Sequence, residues 1–481
     1  MKSIHFLKLG LFILAAAHLS CRKDFSTTNN SGNLSFSKDT IFLDTVFNNL
    51  TTTTHLLTVY NKGNNDINIP KIKLSKDNSK YRINVDGISG TEFDNVLLLK
   101  KDSLFIFVEV TADILDTDEE MLYKDLILFD SDTNQQKVSL ITLVKDAHFL
   151  FPNEGTDYEI NQTQFTNTKP YVIYGNAIVP ENSELIIDAG TMVYFNENAS
   201  LSIAQGATLN INGTKKDSII FRSDNLNYEY NQIPGQWKGI NLNNTGIVNI
   251  NYLKILNPIT GFKITNNTNL ISLKNTEIYN AAEDAIYTEN ANIDAENIII
   301  GQAGKSNLYL QGGNYIFRHC TFANYWNKGF KSESNVSLAN YYLDENNSLI
   351  SSPLNNANFV NCIISGNRTS ELFLDKKKQD VNFNFHLKNC LLNLEKRDGL
   401  YDTTDSLLYT NVLLNKKLDF RNTSINDLRI GIENEGINRA DLENSKLVPF
   451  DILEQNRIET PDIGAYQHID FKTLEPQENE E

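Results

Sequence analysis

The amino-acid sequence predicts an all-β chain: a right-handed parallel β-helix of about ten three-strand coils, preceded by a β-sandwich. Three observations carry this. A frame of apolar residues and asparagine returns about every 22 residues from Val248 onward. A second set of apolar residues, elsewhere in the same repeats, keeps that period. The stretch before residue 148 is built instead of short alternating runs separated by turn signals.

The frame is clearest at Phe322. Seven, five, three and two places earlier stand Tyr315, Phe317, His319 and Cys320. It recurs with ends at Ile255, Ile278, Ile300, Leu343, Ile364 and Leu392; in chain order the ends lie 23, 22, 22, 21, 21 and 28 residues apart. The first two apolar positions alternate as in a strand, and so do the last two, but the parity slips between them, so the chain bends there. The bend residue is Asn275, Asn297, Asn340, Asn361 or Asn389, with Tyr252 and His319 in the other copies. Asparagine tolerates left-handed backbone and bonds readily to an equivalent one coil away. Leucine-rich repeats share the period but need a leucine consensus and a helical face, which are missing.

A third strand follows from "GINLN", "GFKIT", "AIYTE", "NLYLQ", "GFKSE" and "ELFLD", which place Ile240, Phe262, Ile286, Leu308, Phe330 and Leu372 inward. Cys320, Cys362 and Cys390 then become small apolar fillers stacked beside the bend. None belongs to a C-x-x-C pair, and three thiols make no complete disulfide framework.

Residues 35–147 form the expected sandwich. In "LFIFVEV", Leu104, Ile106, Val108 and Val110 share one face, and Phe105, Phe107 and Glu109 the other. The pattern resembles the immunoglobulin-like domains that precede the main module in many bacterial surface proteins, which implies a spacer.

At the N-terminus, Lys2 and Lys8 precede the apolar run "LGLFILAAA", too short for a mature membrane span, and "HLSC" follows. This resembles a bacterial lipobox, with small Ser20 in place and His18 where an aliphatic residue is usual. The resemblance implies a signal peptide over residues 1–21 with lipid on Cys21, a flexible tether over 22–34, and an outer-membrane lipoprotein of Bacteroidetes type on the periplasmic or cell-surface face. The membrane is then a partner through that lipid. Only Asp24 of an acidic surface-export signal is present.

Within residues 148–395, the predicted β-helix, "AGTMVYFNENASLSIAQGATLNINGTKKDSIIFRS" and "PGQWKGI" resemble secreted bacterial β-helix proteins. In residues 396–481, "TPDIGAYQH" is similar to the closing motif of right-handed β-helix proteins with a choice-of-anchor Q domain, Gln467 standing where Glu is usual. The resemblance implies a segment that caps the solenoid, ahead of an acidic tail, in a cell-surface or secreted protein sometimes allied to carbohydrate lyases.

The net charge of -17 argues against nucleic acid as a partner. A glycosidase needs paired carboxylates, yet the outward residues of the third strand are Asn241, Lys263, Tyr287, Tyr309, Lys331 and Phe373, with no acid among them. Aspartates suited to a lyase calcium site are missing too, so no catalytic residue, metal ligand or cofactor is expected. What remains is a stripe of Lys263, Tyr287, Tyr309 and Lys331, with Phe373 beyond. Its rings suit sugar faces and its ammonium groups suit uronate or sulfate. The sequence therefore points to a non-catalytic module binding a polysaccharide or another partner. The alternatives are a polysaccharide lyase or glycoside hydrolase acting on an acidic glycan, and a structural adhesin or stalk.

Overall fold

The computed structural model describes residues 27–47, 54–111, 121–131, 134–152, 154–226, 230–331, 333–395 and 401–474. The signal run, Cys21 and the first part of the tether lie outside the described residues. The chain divides into two compact units, Met1–Lys145 and Asp146–Glu481.

In the first unit a six-stranded and a five-stranded sheet close over one core. Most pairings are antiparallel, but Ser139 pairs in parallel with Thr40, and Thr28 with Ile67. Leu104, Ile106, Val108 and Val110 are buried, while Phe105 and Phe107 face outward. The tether expected over 22–34 ends early. Thr28–Asn29 joins the sheet, Asn30 donates to the Asp130 carbonyl at 3.0 Å, and Leu34 enters the core. Its amides find partners in the sheet, so residues 27–34 belong to the fold.

The second unit is a parallel β-helix. One face is an eleven-stranded sheet from His148–Leu150 to Leu413–Leu414. The remaining strands join in a sixteen-stranded sheet that holds two columns per rung. At Phe262–Lys274, Ile286–Glu296 and Leu308–Arg318 the two columns fuse into single long strands. Stacking in register places like on like: Phe262, Ile286 and Leu308 follow one another inward, and Phe317 lies on Phe359 at 5.1 Å. Burial of these large side chains is the main driving force for closing the coil.

The bends are left-handed, with φ between 47° and 57° at Tyr252, Asn275, Asn297, His319, Asn361 and Asn389. Side chains at the bends bond from rung to rung: Asn297 Nδ2 donates to Asn275 Oδ1 at 2.9 Å, and Asn361 Nδ2 lies 2.9 Å from His319 Nε2. A second corner, at Asn257, Asn280 and Gln302, repeats the device. The three thiols are fully buried in the stack beside the first corner, and burial pushes those of Cys362 and Cys390 well up. They are inert packing.

The repeat frame misplaces one rung. Asn340 and Leu343 do not close a coil: Asn340 is absent from the left-handed corners and instead donates to the carbonyls of Lys378 and Val381. Tyr341–Leu343 pairs antiparallel with Leu349–Ser351 as a hairpin insert. The third strand of this rung is Val336–Ala339, in register with Leu308–Gln311. Val336 takes the inward place expected for Phe330, which is 92% exposed. The 42 residues from Phe322 to Ile364 thus make one rung carrying an insert nearly a period long.

The "DIGAYQ" segment does not cap the end of the solenoid either. Leu428, Ile430, Ile452, Ile463, Ala465 and Tyr466 pack on the outer face of the eleven-stranded sheet, over Ile299, Ala323, Ile363 and Leu391. Those outward residues are apolar, so burial draws the tail along the flank. Fully buried Arg457 donates to the carbonyls of Gly464 and Ala465 and to Asn297 Oδ1. Gln467 accepts from the Asp462 amide and donates to the Thr460 carbonyl. A glutamate there could not make the second bond while ionised.

Candidate functional site

The outward position of the third-strand column reads Asn241, Lys263, Tyr287, Tyr309, Ser337 and Phe373 on successive rungs. Alternation along each strand turns these side chains away from the core. Lys263, Tyr287, Tyr309 and Phe373 therefore stand where the sequence put them. Lys331 does not. Its loop precedes Val336–Ala339, so Ser337 occupies the rung, and Lys331 lies with Nζ 3.8 Å from fully buried Glu371. Among the described residues that ammonium has no hydrogen-bond partner, and burial brings its pKa down to about 8.

Four residues of the stripe line a recess of about 480 Å³, a size suited to a small ligand. Tyr287 and Tyr309 meet edge to face, with centroids 5.7 Å apart. Tyr287 donates its hydroxyl to Glu289 at 2.7 Å. Burial raises both phenols, Tyr309 to about 12, so both remain protonated donors.

The polar wall comes from the turns leading into the same strands: Thr260, Glu283, Asp284, Lys305, Ser306 and Glu333. Sequence reasoning followed only the strand positions and missed these. A usable signal existed. Thr260, Asp284 and Ser306 each stand two residues before an inward residue, and Glu283, Lys305 and Glu333 three before. In-register stacking turns these positions into columns.

Within the wall, Asp284 is buried and accepts from the Ser306 amide at 2.9 Å. Burial pushes its carboxyl up to about 6; the amide bond and Lys305 oppose the shift, while Glu283 and Glu333 add to it. Lys305 Nζ lies 3.3 Å from Glu283. The recess thus holds aromatic faces, protonated phenols, hydroxyls, and a carboxyl that titrates near neutrality. Among the described residues no group of three or more His, Cys, Asp or Glu is placed to hold a metal ion.

The two histidines singled out by the repeat lie elsewhere. His319 is buried between the Gly464 carbonyl, Ser445 and Asn361, and burial holds it well below the ordinary imidazole range. His386 bonds Thr410 on the next rung at 2.8 Å.

Residues 156–257 match the family described as "Pectate-lyase like beta helix domain". Over those residues the chain is similar to that family, and its stacked parallel strands form the same kind of fold, a parallel β-helix. The match covers the first rungs and ends before Lys263, so every residue lining the recess lies beyond it. No curated protein matches. Among solved structures, the ASH / PapD-like domain of human CEP192 (PapD-like domain 7) is 13% identical, over 24% of this chain and 89% of that one, at a TM-score of 0.18.

Proposed function

We propose that this protein is an exported outer-membrane lipoprotein, anchored through lipid on Cys21, that binds a glycan without cleaving it. The reading rests on one observation: a recess of about 480 Å³ whose lining combines Tyr287, Tyr309 and Phe373, from three rungs, with hydrogen-bonding side chains of the adjoining turns. Sugar rings are flat and apolar on their faces and polyhydroxylated at their edges, so they need this pairing of aromatic surface with polar groups. The N-terminal unit, read as an immunoglobulin-like sandwich, serves as the spacer between lipid and β-helix.

The lyase alternative loses its base, since Lys331, the stripe lysine brought down by burial, points to Glu371 and not into the recess. A hydrolase keeps one supporting feature, because Asp284 is a carboxyl of the kind used as a general acid. A glycan array read together with an assay for new reducing ends separates the two. Binding without new reducing ends, lost in Tyr287→Ala/Tyr309→Ala, is the expected result. New reducing ends that vanish in Asp284→Asn would replace binding with hydrolysis.

A further inference from the structure

The charges around the recess decide which glycans it admits. Glu283, Lys305 and Glu333 fall on three adjacent rungs at the same place before the strand, with Asp284 next to Glu283. Of the two lysines that line the recess, Lys305 is already engaged by Glu283 at 3.3 Å. That leaves Lys263 at one end against two carboxyl groups, buried Asp284 and exposed Glu333. Neither Lys263 nor Glu333 has an ion-pair partner among the described residues. The second cation expected from the repeat, Lys331, is taken up by Glu371.

The surroundings leave this imbalance standing: Asp375, two residues beyond Phe373, accepts from the Tyr341 hydroxyl and pairs with Lys377 at 3.6 Å, so its charge is balanced locally. A uronate seated between Tyr287 and Phe373 would lie beside Asp284 or Glu333, with Lys263 at the other end of the row. Like charges brought together in a partly dewatered recess repel more strongly than in open solvent. Sugar hydroxyls, by contrast, donate well to carboxylates.

We propose that the recess takes a neutral oligosaccharide and rejects uronate-bearing chains, with Asp284 and Glu333 accepting sugar hydroxyls while Tyr287, Tyr309 and Phe373 carry the ring faces. This rests on the glycan-binding reading above and reverses the acidic ligand expected from the lysines.

The test is calorimetric titration of the full-length chain in detergent with cellohexaose, xylohexaose, mannohexaose and hexagalacturonate, at low and high salt. At least one neutral hexaose should bind, with little change as salt rises, and hexagalacturonate should bind about tenfold more weakly or not at all. Glu333→Gln removes the charge and one acceptor oxygen, so it should narrow that gap several-fold, raising hexagalacturonate affinity while weakening the neutral hexaose modestly. Glu333 is exposed, and an unaltered melting temperature would show that the variant folds. Hexagalacturonate binding more tightly than every neutral hexaose, and weakening with salt, would overturn the charge argument alone. No binding in either class, with Tyr287→Ala/Tyr309→Ala indistinguishable from the parent, would overturn the glycan reading and this inference with it.

Discussion

The β-helix carries two outer flanks made by the same repeats, and they end differently. On the eleven-stranded flank the outward residues Ile299, Ala323, Ile363 and Leu391 are apolar, and the C-terminal segment covers them. On the third-strand flank the outward residues are Lys263, Tyr287, Tyr309, Ser337 and Phe373, which line an open recess. The coil fixes only the inward side chains. Each outward column is free to be assigned, one to the chain's own tail and the other to a ligand. A solenoid can thus divide its surface between stability and binding rung by rung.

If the covered flank is where stability resides, Arg457→Ala should do more damage than any substitution in the open recess. It removes a fully buried guanidinium that joins the tail to Asn297, and a loss of about 3–5 kcal/mol is expected in urea unfolding of the β-helix. A loss under about 1 kcal/mol would mean the cover is ornamental.

The open flank should instead give up stability for function at Asp284. Its folded-state carboxyl titrates near 6, above its ordinary value of 3.8. The native state therefore holds the proton more tightly, and this contribution is present below the ordinary value and lost as pH rises through about 6. Asp284→Asn should accordingly match the parent at acid pH and exceed it by about 1–3 kcal/mol at pH 8. Melting curves at the two pH values check this.

His319 sets the opposite slope on the covered flank. Its imidazole is held neutral, so below its ordinary value of 6.5 the unfolded chain takes up a proton that the native chain refuses. Stability should fall by about 1.4 kcal/mol per pH unit as pH drops below that point. His319→Asn, which restores the residue found at Asn297 and Asn361, should flatten the slope. An unchanged slope would place the acid sensitivity elsewhere.

The smallest stability effect is expected for Tyr287→Ala/Tyr309→Ala. Both rings lie on the open flank, so the melting temperature should shift by the equivalent of about 1 kcal/mol or less, while glycan binding is lost. A large shift with binding retained would turn the recess into packing.

Much of this contrast was legible in the sequence. The period, the left-handed asparagine corners and the interior thiols all follow from stacking like residues, because burial allows few substitutes at those positions. The exception was the frame at Leu343. The third strand Val336–Ala339 and the hairpin insert after it carry Val336, Leu338, Tyr341 and Leu343 at strand-like spacing, and spacing alone cannot tell a rung from a third strand followed by a hairpin. Lys331 and Phe330 were misplaced for the same reason. The wall of the recess was hidden differently. Glu283, Asp284 and Glu333 are turn residues, and turns show no periodicity until the strands they lead into are aligned. The flank cover could not be read from the closing motif, whose apolar residues reveal that they are buried but not against what.

The tail reaches across the coil as well as over it. Asn426 bonds Asn280, the carbonyls of Thr423 and Ser424 receive Gln302, Phe450 receives Asn297, Asp441 receives Asn361, and Arg439 receives Asn389. An unsplinted solenoid can fray from its last rung inward, each rung held only by its neighbours. Here the terminal rung cannot peel away until a strip fastened to several earlier rungs has been torn loose, so tension applied at the C-terminus is shared along the stack and the β-helix should yield in one large step.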